Sequence, residues 1–378
     1  MPIDLSLDQD QQALQRSARD FFERRCPTTL VRAVEAGDLG YVPAMWQEMA
    51  DLGWLGITVP ENYGGTGGTF LDAYALYEEL GRSLVPSPHL DTVAVAAETV
   101  LAVGTEAQRQ ELLPAIASGT CIVSLAVVEP SGSFGPKGIA LAATASGDDW
   151  VLSGTKLLVA HAPVADRFLV AARTSGAGTS EGITLFLVDA DAAGLSWAPL
   201  PNIAGDALHA LTLDDVAVPG SSVVGEVDGG WAPLSRTMTT AAVLQTSSIV
   251  GAARVVLDMT NRYAQDREQF GGPIGRYQAV QYMVTDVLID MHRTDLLGRQ
   301  AAYRIDAGKP FGREAAIAIA FGKRAAAHLH RQAHEVHAGV AFILDHDLTL
   351  YSRRSKYWEN NLGDARYHED QLAHEMRL

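Results

Sequence analysis

Between residue 121 and about residue 225 the chain changes texture. "CIVSLAVVE", "IALAATAS", "WVLSGTKLLVA", "RFLVAAR", "GITLFLVDA" and "HALTLDDVAV" follow one another as short β-rich runs separated by Gly, Asp, Ser or Pro. Runs at such close intervals leave no room for crossover helices, so the spacing predicts an antiparallel barrel or sandwich rather than βαβ units. On either side the apolar residues recur at helical spacing instead. Ser6 with Gln9 resembles a capping box, and Leu14, Ala18, Phe21 and Phe22 follow it one helical face apart. "AMWQEMADLGW", "FLDAYALYEELGRSL" and "TEAQRQELLPAIASG" continue the helical pattern, with the Pro/Gly-rich loop "VPENYGGTGG" between the first two. Long, Ala-rich amphipathic stretches lie around 232–265, 276–307 and 311–340, apolar over an arc wide enough to bury surface against other subunits. The expected architecture is α+β: an N-terminal helical domain over 1–119, a middle antiparallel β domain over 120–226, and a C-terminal four-helix bundle over 227–378.

Composition narrows the partners. The 378 residues carry a formal charge of −16, and 47% of them are hydrophobic. That charge excludes nucleic acid or an anionic membrane as the main partner, since both need a basic face. Cys26 and Cys121 stand far apart without CxxC spacing, which fits a reducing, cytoplasmic setting and no zinc site. The polar start "MPIDLSLDQDQQ" lacks the basic and apolar regions of a secretory signal, and the apolar runs are cut by charges or glycines before they reach membrane-span length.

Several motifs reduce to ordinary structure. "GGTGG" at 64–68 lacks the Lys and Ser/Thr of a phosphate loop, and "SGTK" at 153–156 lies among strands. His330, His334 and His337 share a helical face, but Glu335 is separated from His337 by Val336 alone, unlike the zinc protease pattern. Hydrogen-bonded imidazoles in a bundle are expected there, and no metal. Arg353, Arg354 and Lys356 read as a solvated charge cluster or as an anion contact.

The stretch "DREQFGGPIGRYQAVQ" at 266–281 is more specific. Arg267 offers a planar fork for phosphate oxygens and Gln269 adds donors beside it. Gly271 and Gly272 remove side chains where the backbone turns, Pro273 fixes the exit, and Phe270 gives a flat apolar face. Together these suit a pyrophosphate joined to an aromatic ring system.

This stretch resembles the flavin-binding loop of the acyl-CoA dehydrogenase family. "WLGITVPENYGGTGG", "LAVVEPSGS", "DWVLSGTKLLVAHAPVADRFLVAAR", "LTLDDVAVPGSSVVGEVDGGW" and "HEVHAGVAFILDHDLTLYSRRSK" are similar to family segments in the same order along nearly the whole chain. The resemblance implies FAD as cofactor and an acyl thioester, on CoA or a carrier protein, as substrate. A carboxylate would remove the α-proton while the β-hydride passes to the flavin. It also implies FAD contacts from Arg267, Gln269, Phe270, Ile274, Tyr277 and Gln278 to a neighbouring subunit's flavin, joined by Glu335 and Gly339. Val127, Val128, Ser133, Leu158 and Ala160 would lie beside the subunit's own flavin ring.

Departures from the family pattern share a direction. The family's catalytic Glu falls on Leu362, followed by Gly363 and by Asp364 where Thr is expected. The alternative base position, near Ala241 and Ala242, has no acid either. Leu158 and Ala160 replace the aromatic and hydroxyl residues expected at the flavin ring, and Glu335 and Ala338 replace a Gln and a Gly. Asp364 or Glu359 is a candidate substitute base. The resemblance therefore implies an acyl-CoA dehydrogenase-like oxidoreductase. The alternatives are a non-catalytic partner subunit of a heteromeric dehydrogenase, as in members acting on steroid side-chain thioesters, or a related flavin enzyme with oxygenating chemistry. The expected partner is this chain itself or a homologous subunit.

Overall fold

The computed structural model describes residues 5–176 and 178–377. Helix α1 (Gln9–Arg25) is capped by Asp8 and Gln11 rather than by Ser6 and Gln9. The Asp8 carboxylate accepts from the Gln11 N–H at 2.8 Å, and the Gln11 side chain accepts from the Asp8 N–H at 3.1 Å. Gln9 is the first helical residue, so its side chain cannot reach back as the third residue of a helix does. Helices α2 (Thr28–Glu35), α3 (Pro43–Asp51) and α4 (Phe70–Arg82) follow, then a π-helical stretch, Leu90–Ala97, that runs into α5 (Glu98–Val103), and finally α6 (Glu106–Ala117).

The middle region is one sheet of β1 (Val123–Ala126), β2 (Ala142–Ser146), β3 (Asp149–Ala160), β4 (Arg167–Arg173), β5 (Ile183–Asp189), β6 (Leu195–Pro199), β7 (Leu208–Val218) and β8 (Val223–Val224). Its order is β6-β7-β3-β2-β4-β5-β8, with β1 joined to β4. All pairings are antiparallel except β1 with β4 and β2 with β4. Inside the sheet, the Lys156 ammonium lies 2.6 Å from the Glu129 carboxylate and also donates to the Val127 carbonyl at 3.2 Å. Both side chains are buried.

The chain ends in α7 (Trp231–Asp266), a small hairpin of β9 (Glu268–Gln269) and β10 (Gly272–Pro273), and then α8 (Gln278–Asp306), α9 (Gly312–His337), α10 (Asp347–Asn360) and α11 (Ala365–Glu375). Contrary to the sequence reading, α7 is long and apolar enough to meet the length and composition test for a membrane span; 78% of that window is buried inside the protein, as in a core helix. It presses on α4 at two glycines: a Cβ on Gly251 would meet the Glu78 carbonyl oxygen at 1.8 Å, and one on Gly81 would meet the Ser248 oxygen at 2.1 Å. The hydroxyls of Ser247 and Ser248 donate across the same seam to the carbonyls of Tyr74 and Tyr77.

The Arg353–Arg354 pair is not a solvated cluster. Arg353 meets Glu35 of α2 at 2.8 Å, and the buried Arg354 meets Glu35 at 3.4 Å and Asp206, from the β6–β7 loop, at 3.3 Å. One ionic knot thus joins the N-terminal helices, the sheet and the C-terminal bundle.

Candidate active site

Two clefts with no lining residue in common collect most of the residues singled out in the sequence. The first is an apolar crevice of about 1180 Å³ between the sheet, the start of α7 and the α10–α11 turn. Val127 and Val128 enter it from beyond β1, held by the Lys156 contact to the Val127 carbonyl and by the Leu157 N–H, which donates to the Val128 carbonyl at 2.7 Å. The β3–β7 register slips between Lys156 and Val159, and Leu158 takes φ +57° there. This bulge turns the Leu158 side chain out of the sheet and into the crevice, where it is 48% exposed. Ala160 lies in a neighbouring cavity, and Ser133 sits in the preceding turn, accepting from the Gly135 N–H.

Leu362 faces this crevice. It stands at φ +56° and Gly363 at φ +97°, where a Cβ on Gly363 would meet the Tyr367 ring at 2.4 Å. The buried Lys323 ammonium fixes the approach by donating to the carbonyls of Trp358 at 2.6 Å and Asn361 at 2.7 Å. Burial drives that ammonium down to about 7. The His368 Nε2 donates to the Leu362 carbonyl at 3.0 Å. The position is firmly held, but its side chain is a hydrocarbon and can take no proton.

The two candidate substitute bases lie elsewhere. Asp364 caps α11 by accepting from the Tyr367 N–H, and Glu359 bonds Ser355 and Lys356; neither lines the crevice. Ala241 and Ala242 are packed in the core of α7. The crevice does hold one carboxyl that the motif reading missed. Asp91, in the π-helical stretch, accepts from the Leu125 N–H at 3.3 Å, and burial pushes it up to about 7. Its signal was available: a lone acid in the otherwise apolar run "HLDTVAVAA".

The second cleft is an open groove beside the 266–277 loop. Phe270 at φ +53° and Gly271 at φ +86° make the two-residue hairpin tip, the backbone geometry of a type I′ turn, and leave the Phe270 ring 86% exposed. The Arg276 guanidinium clamps the turn by donating to the carbonyls of Phe270 and Gly271. Arg267, Gln269, Phe270, Ile274 and Tyr277 line the groove from the loop, Glu335 from the last turn of α9 and Gly339 from the 3-10 turn just beyond it. Gln278 opens α8 and is off the lining. Arg267 has no carboxylate partner among the described residues.

His337 was read in the sequence only as part of a histidine face. Its Nδ1 donates to the Ala333 carbonyl at 2.8 Å, so Nε2 carries a lone pair; it is buried on the groove wall without a partner among the described residues. Its ring stacks on Tyr263 with centroids 4.5 Å apart. His334 bonds Ser352, and His330 is buried. Charged and amide donors, an exposed aromatic face and an orphaned imidazole nitrogen fit the nucleotide part of a flavin dinucleotide. The apolar crevice fits a flavin ring less well, since Val128 offers methyl groups where ring polar atoms would seek a hydroxyl.

Three family models match the chain: acyl-CoA dehydrogenase N-terminal domain over residues 8–120, middle domain over 124–216 and C-terminal domain over 228–376. Acyl-CoA dehydrogenase FadE12 of Mycobacterium tuberculosis is 30% identical over 292 residues, which are 75% of this chain and 74% of FadE12. The solved ChsE4–ChsE5 complex of Mycobacterium tuberculosis includes a chain 28% identical, with a TM-score of 0.89 and 99% of both chains covered. The Tcur3481–Tcur3483 steroid ACAD includes one 30% identical, with a TM-score of 0.86, covering 97% of this chain and 98% of that one.

Proposed function

The chain belongs to the acyl-CoA dehydrogenase family of oxidoreductases, and on that premise we propose that it is a subunit of an FAD-dependent dehydrogenase that forms an α,β double bond in an acyl thioester. In this reading it works in a mixed assembly, where its 266–277 loop completes the FAD site of a homologous subunit. Leu362 carries the reading. Removing a proton α to a thioester carbonyl needs a base within hydrogen-bond reach, and loss of such a base alone costs roughly 10²–10⁴ in rate. On this reading the family's base position falls on Leu362, an alkyl group lining the crevice, while the loop and groove offer donors and an aromatic face to an anionic, aromatic ligand.

FAD, when bound, would supply the acceptor for the β-hydride. Arg267 and Gln269 would hold its phosphates, Phe270 would cover an aromatic face, and the His337 Nε2 would accept from a hydroxyl or amine. Support also comes from the two solved relatives above, each named by two proteins rather than one.

The test is the visible spectrum of the purified chain, alone and mixed with a base-bearing homologue. Alone it should hold well below one FAD per chain and show no anaerobic bleaching with acyl-CoA; the mixture should hold flavin and bleach. A chain that is yellow by itself, with stoichiometric FAD that bleaches, refutes the partner-subunit reading. A second reading, a self-sufficient dehydrogenase, is favoured by the Asp91 carboxyl in the crevice, held near neutrality as a general base requires. It requires Asp91→Asn to abolish bleaching without loss of flavin.

A further inference from the structure

Behind the crevice lies a second, smaller chamber, bounded by α2, α4, α10 and the β6–β7 loop. Asp91 and Tyr357 line both spaces, so the two meet at that pair. Unlike the crevice, the chamber is polar, and several of its polar atoms are left without protein partners. The Nδ1 of His161, Oδ2 of Asp206 and Oε1 of Gln245 are buried and unsatisfied among the described residues. Gln245 is 3% exposed. Buried polar groups are nearly always paired, so a cluster of orphans around one cavity marks a place where something else completes the bonding.

The sign of the missing groups can be read. The His161 Nε2 faces the Gly40 carbonyl at 3.2 Å, which can only accept, so Nε2 holds the proton and Nδ1 is an acceptor. Burial drives this imidazole down to about 4, which keeps it neutral. All three orphans therefore accept. Arg354, beside them, is already neutralised by Glu35 and Asp206, so a free anion gains little there. The complement of such a wall is a neutral group rich in O–H donors.

We propose that the chamber is a distal subsite for the acyl group of a hydroxylated acyl thioester, entered from the crevice past Asp91 and Tyr357. This rests on the reading that the crevice admits an acyl thioester. It adds that the far end of the acyl group is polar, with its hydroxyls bonded to His161, Asp206 and Gln245.

The test uses ω-hydroxyacyl-CoAs of graded length beside the same acyl-CoAs without the hydroxyl, with binding measured by calorimetry so that turnover is not needed. At the length that reaches the chamber, the hydroxylated thioester should bind about tenfold or more tighter than its plain partner. Gln245→Leu should erase most of that preference. Equal or tighter binding of the plain thioester at every length overturns the proposal while leaving the crevice reading intact. If neither series binds, the crevice reading fails and takes the proposal with it. A preference that survives both Gln245→Leu and His161→Phe also overturns it, because the hydroxyl would then be recognised outside the chamber.

Discussion

Removing either partner of the Lys156–Glu129 pair should destabilise the sheet, and the two losses should respond to pH in opposite directions. In Lys156→Met the Glu129 carboxylate loses its ammonium but keeps the backbone N–H groups of Ala140 and Leu141, each at 3.0 Å. An uncompensated buried charge costs at most what neutralising it costs. Protonating an ordinary glutamate at pH 7 takes about 3.7 kcal/mol, from a reference near 4.3, and deprotonating an ordinary lysine takes about 4.6 kcal/mol, from a reference near 10.4. Both lie within the roughly 3–5 kcal/mol lost when one partner of a buried pair is removed. Glu129→Leu should therefore cost more than Lys156→Met, because the stranded ammonium keeps only the Val127 carbonyl. The double variant should cost less than the sum of the singles.

The signs follow from linkage. In Lys156→Met the buried charge left behind is negative, so the penalty shrinks as pH falls, by at most about 1.4 kcal/mol per unit. In Glu129→Leu it is positive, so the penalty shrinks as pH rises. Urea denaturation followed by fluorescence, run for the four-protein cycle at several pH values, measures both. Single-variant losses below about 1 kcal/mol, or parallel pH profiles, would refute the argument.

Three further outcomes are expected. His89 bridges Tyr77 and Trp54, and burial pushes it down to about 4 from 6.5; because the unfolded chain binds that proton first, the stability advantage of wild type over His89→Gln should shrink by about 1.4 kcal/mol per unit as pH falls from 6.5 to 4, and a flat difference in urea midpoints would count against it. Gly251→Ala should lower the melting temperature although alanine favours a helix by about 1 kcal/mol, because its methyl group would occupy the place of the Glu78 carbonyl; a rise would show that the α4–α7 seam has slack. In the mixed assembly, Arg267→Ala should weaken FAD retention by about tenfold or more in dialysis, with only partial rescue by Arg267→Lys; unchanged retention would remove the groove from the FAD site.

Much of the sheet was legible in the sequence because its runs are closed by turn residues at close intervals. The 121–225 runs overlap β1 to β5 and β7, and match β4 to the residue. β6, "LSWAP", escaped because it is mostly exposed and carries no alternation. The π-helical Leu90–Ala97 escaped because its apolar residues wrap the whole circumference and give no helical period. At the site, the loop chemistry of Arg267, Gln269 and Phe270 was local, and so was readable. The polar chamber was not, since Gly40, His161, Asp206, Gln245 and Arg354 are brought together only by the packing of three regions. Arg353 and Arg354 were misread for the same reason: their partners lie far away in sequence at Glu35 and Asp206.

That ionic knot also has a history within each molecule's synthesis. Glu35 emerges first and Asp206 much later, and both must wait for the arginines of α10, near the end of the chain. Until then the nascent protein carries two carboxylates at a seam that cannot yet close, free to stay hydrated. Any approach of the two acids before the arginines arrive would be opposed by their like charge. Arrival of Arg353 and Arg354 turns that repulsion into attraction, so the acids would act first as spacers and then as latches. The polar chamber would be walled in at the same step.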